Sequence, residues 1–191
     1  MELVFIRHGE GEHTLNFPDS LHMSDPYLTE KGKSQAKSLT KDFLLSTEDV
    51  VIVSPIRRTL QTAQLWVDQV NCKRIVHPLV SPRLFPLRIE AKTLPCDSLL
   101  PVEIIKKEFP EFEIENNIKG VVWTEGVNTK SELEFNRLAN QFINWCRTLN
   151  RERVYIVSHD GTITSYRQVI SGEKLTREDF PKEIGSIHLK V

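Results

Sequence analysis

No stretch of this sequence approaches the roughly 18 consecutive apolar residues that a membrane-crossing helix needs. Before Arg7 the amino terminus offers only the run Leu3-Val4-Phe5-Ile6, too short for the apolar core of a signal peptide. Cysteine is scarce. Cys72, Cys96 and Cys146 are odd in number, widely spaced and without a Cys-x-x-Cys pair. That pattern argues against a disulfide framework or a zinc site and for reduced thiols in a cytoplasmic protein. Glycine is sparse too, and neither Gly-x-Gly-x-x-Gly nor a phosphate-binding Gly-Lys-Ser/Thr loop occurs, which sets aside dinucleotide and P-loop nucleotide binding. An excess of either charge is also missing. With 25 Lys and Arg against 26 Asp and Glu, the net charge is −1, leaving no field to draw the chain to nucleic acid or an anionic membrane. There is no internal repeat, low-complexity tract or linker, and 191 residues suffice for one sizeable core, so a single domain over 1–191 is expected.

What the sequence does carry is concentrated at three strand ends. Leu3-Val4-Phe5-Ile6 reads as a buried strand and runs straight into Arg7-His8-Gly9-Glu10. Residues just past the carboxyl end of a strand are where open α/β sheets place their chemistry. An arginine and a histidine there suit an oxyanion and a nucleophile, and the glycine allows a close backbone approach. Val154-Tyr155-Ile156-Val157-Ser158 ends the same way, in His159-Asp160-Gly161. Val50-Val51-Ile52-Val53 leads into a helix for which Ser54 is the expected N-cap and Pro55 the first helical residue. Arg57 and Arg58 then fall in the first helical turn. Cations are unfavourable there unless an anion joins them.

Strands alternating with helical patterns predict an α/β fold with a mostly parallel sheet covered on both faces. Thr29 is placed to cap a helix with Gly32, Ala36, Leu39 and Phe43 on one stripe, and Ser131 opens another with a capping box. Gly172 should stop the helix after His159, and the alternation of Ile187, Leu189 and Val191 with polar residues predicts a half-buried terminal strand. The stretch 72–130 differs. It holds Pro78, Pro82, Pro86, Pro95, Pro101 and Pro110, one short helical pattern and the acidic run Glu108–Glu115, read as an irregular, solvated insertion over the active site. His13 lies close enough in sequence to line a pocket, whereas His22, His77 and His188 are read as surface or rim residues, and Trp123 and Phe85 as packing.

In family order, four segments make the chain resemble the histidine phosphatase superfamily, in the branch named after phosphoglycerate mutases. They are Arg7-His8-Gly9-Glu10, Leu28-Thr29-x-x-Gly32-x-x-Gln35-Ala36, Ser54-x-x-x-Arg58-x-x-x-Thr62-Ala63 and Ser158-His159. The resemblance implies a three-layer α/β/α sandwich and a metal-independent, cofactor-free phosphatase acting on a small phosphate ester. His8 would become transiently phosphorylated, with Arg7, Arg58 and His159 holding the phosphoryl charge. Two positions depart from the family. Pro86 stands where the branch usually has its acidic glutamate, and Asp160 follows the second histidine as in the acid-phosphatase branch. Asp160 is therefore the expected proton donor, with Asp97 and Glu90 as alternatives. Thr14 replaces the usual phosphate-contacting asparagine, by its hydroxyl or with Asn16 in its stead. A phosphoglycerate-type mutase and a non-catalytic phosphate-binding module remain the competing readings.

Overall fold

The computed structural model describes residues 1–88, 90–116, 118 and 122–191. The three strand ends are brought together by a six-stranded sheet: β1 (Glu2–Arg7), β2 (Val50–Val53), β3 (Lys73–Val76), β4 (Glu113–Ile114), β5 (Arg153–Ser158) and β6 (Ser186–Lys190), in the order β4-β3-β2-β5-β1-β6. Only β6 runs antiparallel, along the β1 edge. The chain leaves β1, builds outward through β2, β3 and β4, and returns to insert β5 between β1 and β2. That crossing point is where a crevice opens at the carboxyl ends of a parallel sheet.

The helices are α1 (Glu30–Asp42), α2 (Arg57–Val67), α3 (Val102–Glu108), α4 (Val122–Glu125), α5 (Glu132–Thr148) and α6 (Asp160–Ser171). Alternation along each strand divides the core into two layers. Leu3, Phe5, Val154 and Ile156 face Phe135 and Phe142 of α5 and Tyr166 of α6. Val4, Ile6, Tyr155 and Val157 face Leu39 of α1 and Leu60, Trp66 and Val67 of α2. Because both faces are buried, the central strands read as continuous apolar runs. The fold is the three-layer α/β/α sandwich. Thr29 caps α1 by accepting the Gly32 N–H at 3.0 Å, and α6 stops where Gly172 takes φ +73°. Ser131 accepts the Glu134 N–H at 3.2 Å.

Three readings of the sequence need correction. Ser54 does not cap α2. The helix begins at Arg57, with the extended Ile56 as its N-cap, because the Ser54 side chain is taken by His159. The acidic run is not simply a solvated face. Phe109 and Phe112 bury into the core, and Glu113–Ile114 extends the sheet as a parallel strand beside β3. Charged and apolar residues alternate there, so a segment that is polar on average still has a side to bury.

His77 is not a surface residue. At the end of β3 it is fully buried, its ring 4.8 Å from that of Phe142 and 4.6 Å from that of Trp145, and its Nδ1 accepts the Leu79 N–H. Burial pushes its pKa down to about 3. An unfolded chain protonates this ring below about pH 6.5, where the native state still excludes the proton. His77 therefore contributes stability above that pH that is lost as pH falls toward 3. Replacing it with phenylalanine should reduce the acid sensitivity. The drop in denaturation midpoint between pH 7 and pH 4.5 is expected to be smaller in His77→Phe than in the parent, and an equal drop would refute the assignment.

Candidate active site

The chain leaves β1 into a loop fixed from three sides. The Gly9 N–H bonds the Thr62 hydroxyl at 3.2 Å, the Glu10 N–H bonds the Gln35 side-chain oxygen at 2.8 Å, and the Glu10 carboxylate takes the Thr29 hydroxyl at 2.8 Å. Gly9 and Gly32 let the loop lie directly on the first turn of α1. A Cβ on Gly9 would stand 2.5 Å from the Gly32 carbonyl oxygen, and one on Gly32 would stand 2.0 Å from that of Glu10. The sequence segments around Thr29, Gly32 and Gln35 thus serve to hold His8 in place.

His8 is 3% exposed and His159 4% exposed, with their ring centroids 5.1 Å apart. Between them lies Arg58, 2% exposed. Arginine can only donate, so its contacts identify the histidine tautomers. Arg58 Nε donates to His8 Nε2 at 3.2 Å, while His8 Nδ1 donates to the Gly9 carbonyl at 2.7 Å. The Nε2 lone pair of His8 therefore faces the site. Arg58 Nη2 donates to His159 Nδ1 at 3.4 Å, leaving His159 Nε2–H for the Ser54 hydroxyl at 2.8 Å. Burial, and then the Arg58 charge, push the pKa of each ring well below the ordinary 6.5. Both are neutral imidazoles at neutral pH. His13 stands in the same cluster, its ring 5.6 Å from that of His8, and burial followed by Arg58 and Arg7 lowers it to about 3.

Each arginine also holds a carboxylate. Arg58 donates to the Cys96 carbonyl at 2.7 Å and to Asp97 Oδ1 at 2.8 Å. Arg7 donates to the Pro181 carbonyl at 3.0 Å and pairs with Asp160 Oδ2 at 2.9 Å. The other Asp160 oxygen accepts the Gly161 N–H at 2.6 Å, so this carboxylate also serves the start of α6. Arg57, next to Arg58, is turned to other partners. It is buried, paired with Asp25 at 2.6 Å and with Glu108, and lies over the Tyr27 ring.

Beside the arginines opens a cleft of about 560 Å³, onto which Asp160, Asp97 and Glu90 all face. The segment 83–86 forms one wall. It reaches the site because Gly161 has no side chain: a Cβ there would lie 2.1 Å from the Arg83 carbonyl oxygen. Thr14 is not brought into this group. It is exposed, its hydroxyl donating to the Gly11 carbonyl of its own turn at 2.8 Å, and Asn16 is also exposed. Sequence reasoning misses Ser54 as the partner of His159, and gives His13 no more than proximity. Phe85 is no core residue but a half-exposed part of the cleft wall. A second depression, lined by Glu2, Glu48, Asp49 and Arg153, lies at the opposite, amino-terminal ends of the strands. Among the described residues no group of three His, Cys, Asp or Glu side chains could hold a metal ion, and no helix is long and apolar enough to cross a membrane.

Paired neutral histidines thus meet a buried arginine at the carboxyl ends of the central strands of an α/β/α sheet, where positive charge and donors converge. The chain belongs to the histidine phosphatase superfamily, branch 1, whose family model matches residues 3–187. A phosphoglycerate mutase-like protein of Arabidopsis thaliana is 28% identical, over 96% of this chain and 79% of the relative. Among solved structures, the alpha-ribazole phosphatase of Shigella flexneri superposes with a TM-score of 0.61 at 20% identity, covering 100% of this chain and 91% of its own. A phosphoserine phosphatase of Entamoeba histolytica gives 0.59 at 20% identity, covering 98% and 89%. At these identities the structural likeness is one of fold.

Proposed function

We propose that the protein is a phosphatase that hydrolyses a small phosphomonoester through a phosphohistidine on His8. The observation that supports this most is the His8 ring itself: buried, neutral, its Nδ1–H spent on Gly9 and its Nε2 lone pair turned toward Arg58. In the first step Nε2 attacks phosphorus, an N–P bond forms and the P–O bond to the alcohol breaks. Arg7, Arg58 and His159 take up the phosphoryl charge as it spreads in the transition state. Arriving phosphate takes the Arg7 and Arg58 donors now held by Asp160 and Asp97. Asp160, freed from Arg7 at the mouth of the cleft, takes the proton carried by the incoming phosphate monoanion and passes it to the leaving oxygen. Water then attacks phosphorus, yields its proton to Asp160, and inorganic phosphate leaves as the N–P bond breaks. Thr14 is given no part in this scheme.

In this reading Arg83, Phe85 and Asp97, from the segment 72–130, help roof the cleft of a single domain. The three cysteines are unpaired and buried, which accords with a cytoplasmic location.

A panel of phosphate esters offered to the purified protein, with acid-stable or base-stable phosphate trapped on the chain after rapid quenching, tests the proposal. Phosphohistidine is stable to base and labile to acid. Base-stable label on His8 is the expected result, and turnover without any such label would overturn the covalent route. The guanidinium groups supply the neutralisation that a divalent cation gives in other phosphoryl-transfer sites. EDTA is accordingly expected to leave kcat and KM unchanged. A loss reversed by magnesium or zinc would contradict metal independence.

A further inference from the structure

The three carboxylates that could serve the leaving group, Asp160, Asp97 and Glu90, all line this cleft, so the alcohol portion of the ester is placed there. The rest of that cleft mixes charged side chains with a larger apolar surface. Its surface carries the rings of Phe17, Phe85 and Phe180 with Leu21 and Leu94. Phe85 and Phe180 stand 6.0 Å apart, tilted by 54°, and the Arg177 guanidinium lies 5.7 Å above the Phe180 ring, which orients it. Phe17, also on the cleft lining, is 75% exposed, so a ligand seated in the cleft could cover apolar surface there. A glycerate or sugar could reach the charged groups of Arg83, Arg88, Glu90, Lys92 and Arg177 that also line the cleft, but it would leave these rings wet. A flat apolar group would bury both surfaces at once, and a cleft of about 560 Å³ admits more than one ring.

We infer that the leaving group is an aromatic or similarly flat apolar alcohol, seated between Phe17, Phe85 and Phe180, so that the substrate class is a phosphate monoester of such an alcohol. This rests on the phosphatase reading for the position of the phosphate, and it is tested by binding so that the two can fail separately. The probes are naphthylmethylphosphonate and methylphosphonate, which share the phosphonate and differ only in the ring system, with affinities measured by calorimetry. The naphthyl compound is expected to bind at least about 10-fold more tightly, from the apolar area it buries. That ratio should shrink several-fold in Phe180→Ala and in Phe17→Ser, the second chosen because so exposed a side chain contributes little to folding. It should be unaltered in Leu44→Ser, an exposed leucine that does not line the cleft. A ratio near one, or a ratio that survives both cleft variants, overturns the inference. If the ratio behaves as expected but no ester is turned over, the cleft assignment stands and the phosphatase reading falls. If phosphohistidine forms and the ratio is near one, the reverse holds.

Discussion

His8→Ala is expected to abolish turnover of every ester and every trace of phosphohistidine while leaving the fold intact. The ring makes few contributions to stability that alanine would forfeit: one hydrogen bond to the adjacent Gly9 carbonyl and one from Arg58, at the end of a strand whose core side chains are Leu3 to Ile6. The chemical loss is not made good by the other ring that accepts from Arg58. His159 presents its Nδ1 to the same guanidinium, but its ring is fixed from the other side by Ser54. The same burial has a consequence for pH. Attack requires the neutral ring, and a lowered pKa keeps it neutral as pH falls through the ordinary histidine value of 6.5. The acid limb of kcat/KM due to this group should therefore lie well below 6.5. Undiminished hydrolysis by the alanine variant would end the covalent mechanism, and an acid limb at 6.5 would show that the site is more open to water than its burial indicates.

The second large effect concerns the proton. Asp160→Asn should depress turnover of alkyl phosphates by roughly the 10²–10⁴-fold that general acid catalysis supplies. Nitrophenyl phosphate, whose leaving group departs without protonation, should suffer far less. The contrast matters because Asp160 has a second occupation: it holds Arg7 at 2.9 Å and accepts the Gly161 N–H at 2.6 Å. If its role is only to orient Arg7 and begin α6, Asn will slow both substrate types alike. Asp97→Asn and Glu90→Gln provide the comparison, since Asp97 holds Arg58 as Asp160 holds Arg7, and Glu90 shares the cleft. An alkyl-to-aryl contrast that appears in one of those variants and not in Asp160→Asn would move the acid to that residue.

Much of this arrangement is legible in the chain because parallel sheets enforce a local grammar. A strand buried on both faces must be an unbroken apolar run, so Leu3–Ile6, Val50–Val53 and Val154–Val157 stand out, and the residues after each run necessarily lie at the carboxyl edge. The spacing Ser54-x-x-x-Arg58-x-x-x-Thr62-Ala63 turns out to have a reason at each step. Ser54 holds His159, Arg58 reaches both histidines, Thr62 anchors Gly9 and Ala63 packs in the core. Helical periodicity places Arg58 and Thr62 one turn apart on the face toward β1. Local competition is harder to see. Ser54 before a proline has the composition of an N-cap, and only the arrival of His159 from 105 residues away shows that its hydroxyl is engaged elsewhere.

By itself, then, the sequence determined the layers of the fold, the strand ends that hold the candidate site, and the family to which the chain belongs, since each rests on periodicity or on local spacing. Only the tertiary structure decided which tautomer each histidine adopts, which carboxylate each arginine holds, and that His77 and the 109–115 segment belong inside. It also decided the lining of the cleft, which draws Phe17, Phe85 and Phe180 from three segments far apart in the chain. The reason is physical. Hydrogen-bond direction, burial and ring contacts depend on distances between elements, and a one-dimensional pattern carries no measure of those until the sheet order has brought the elements together.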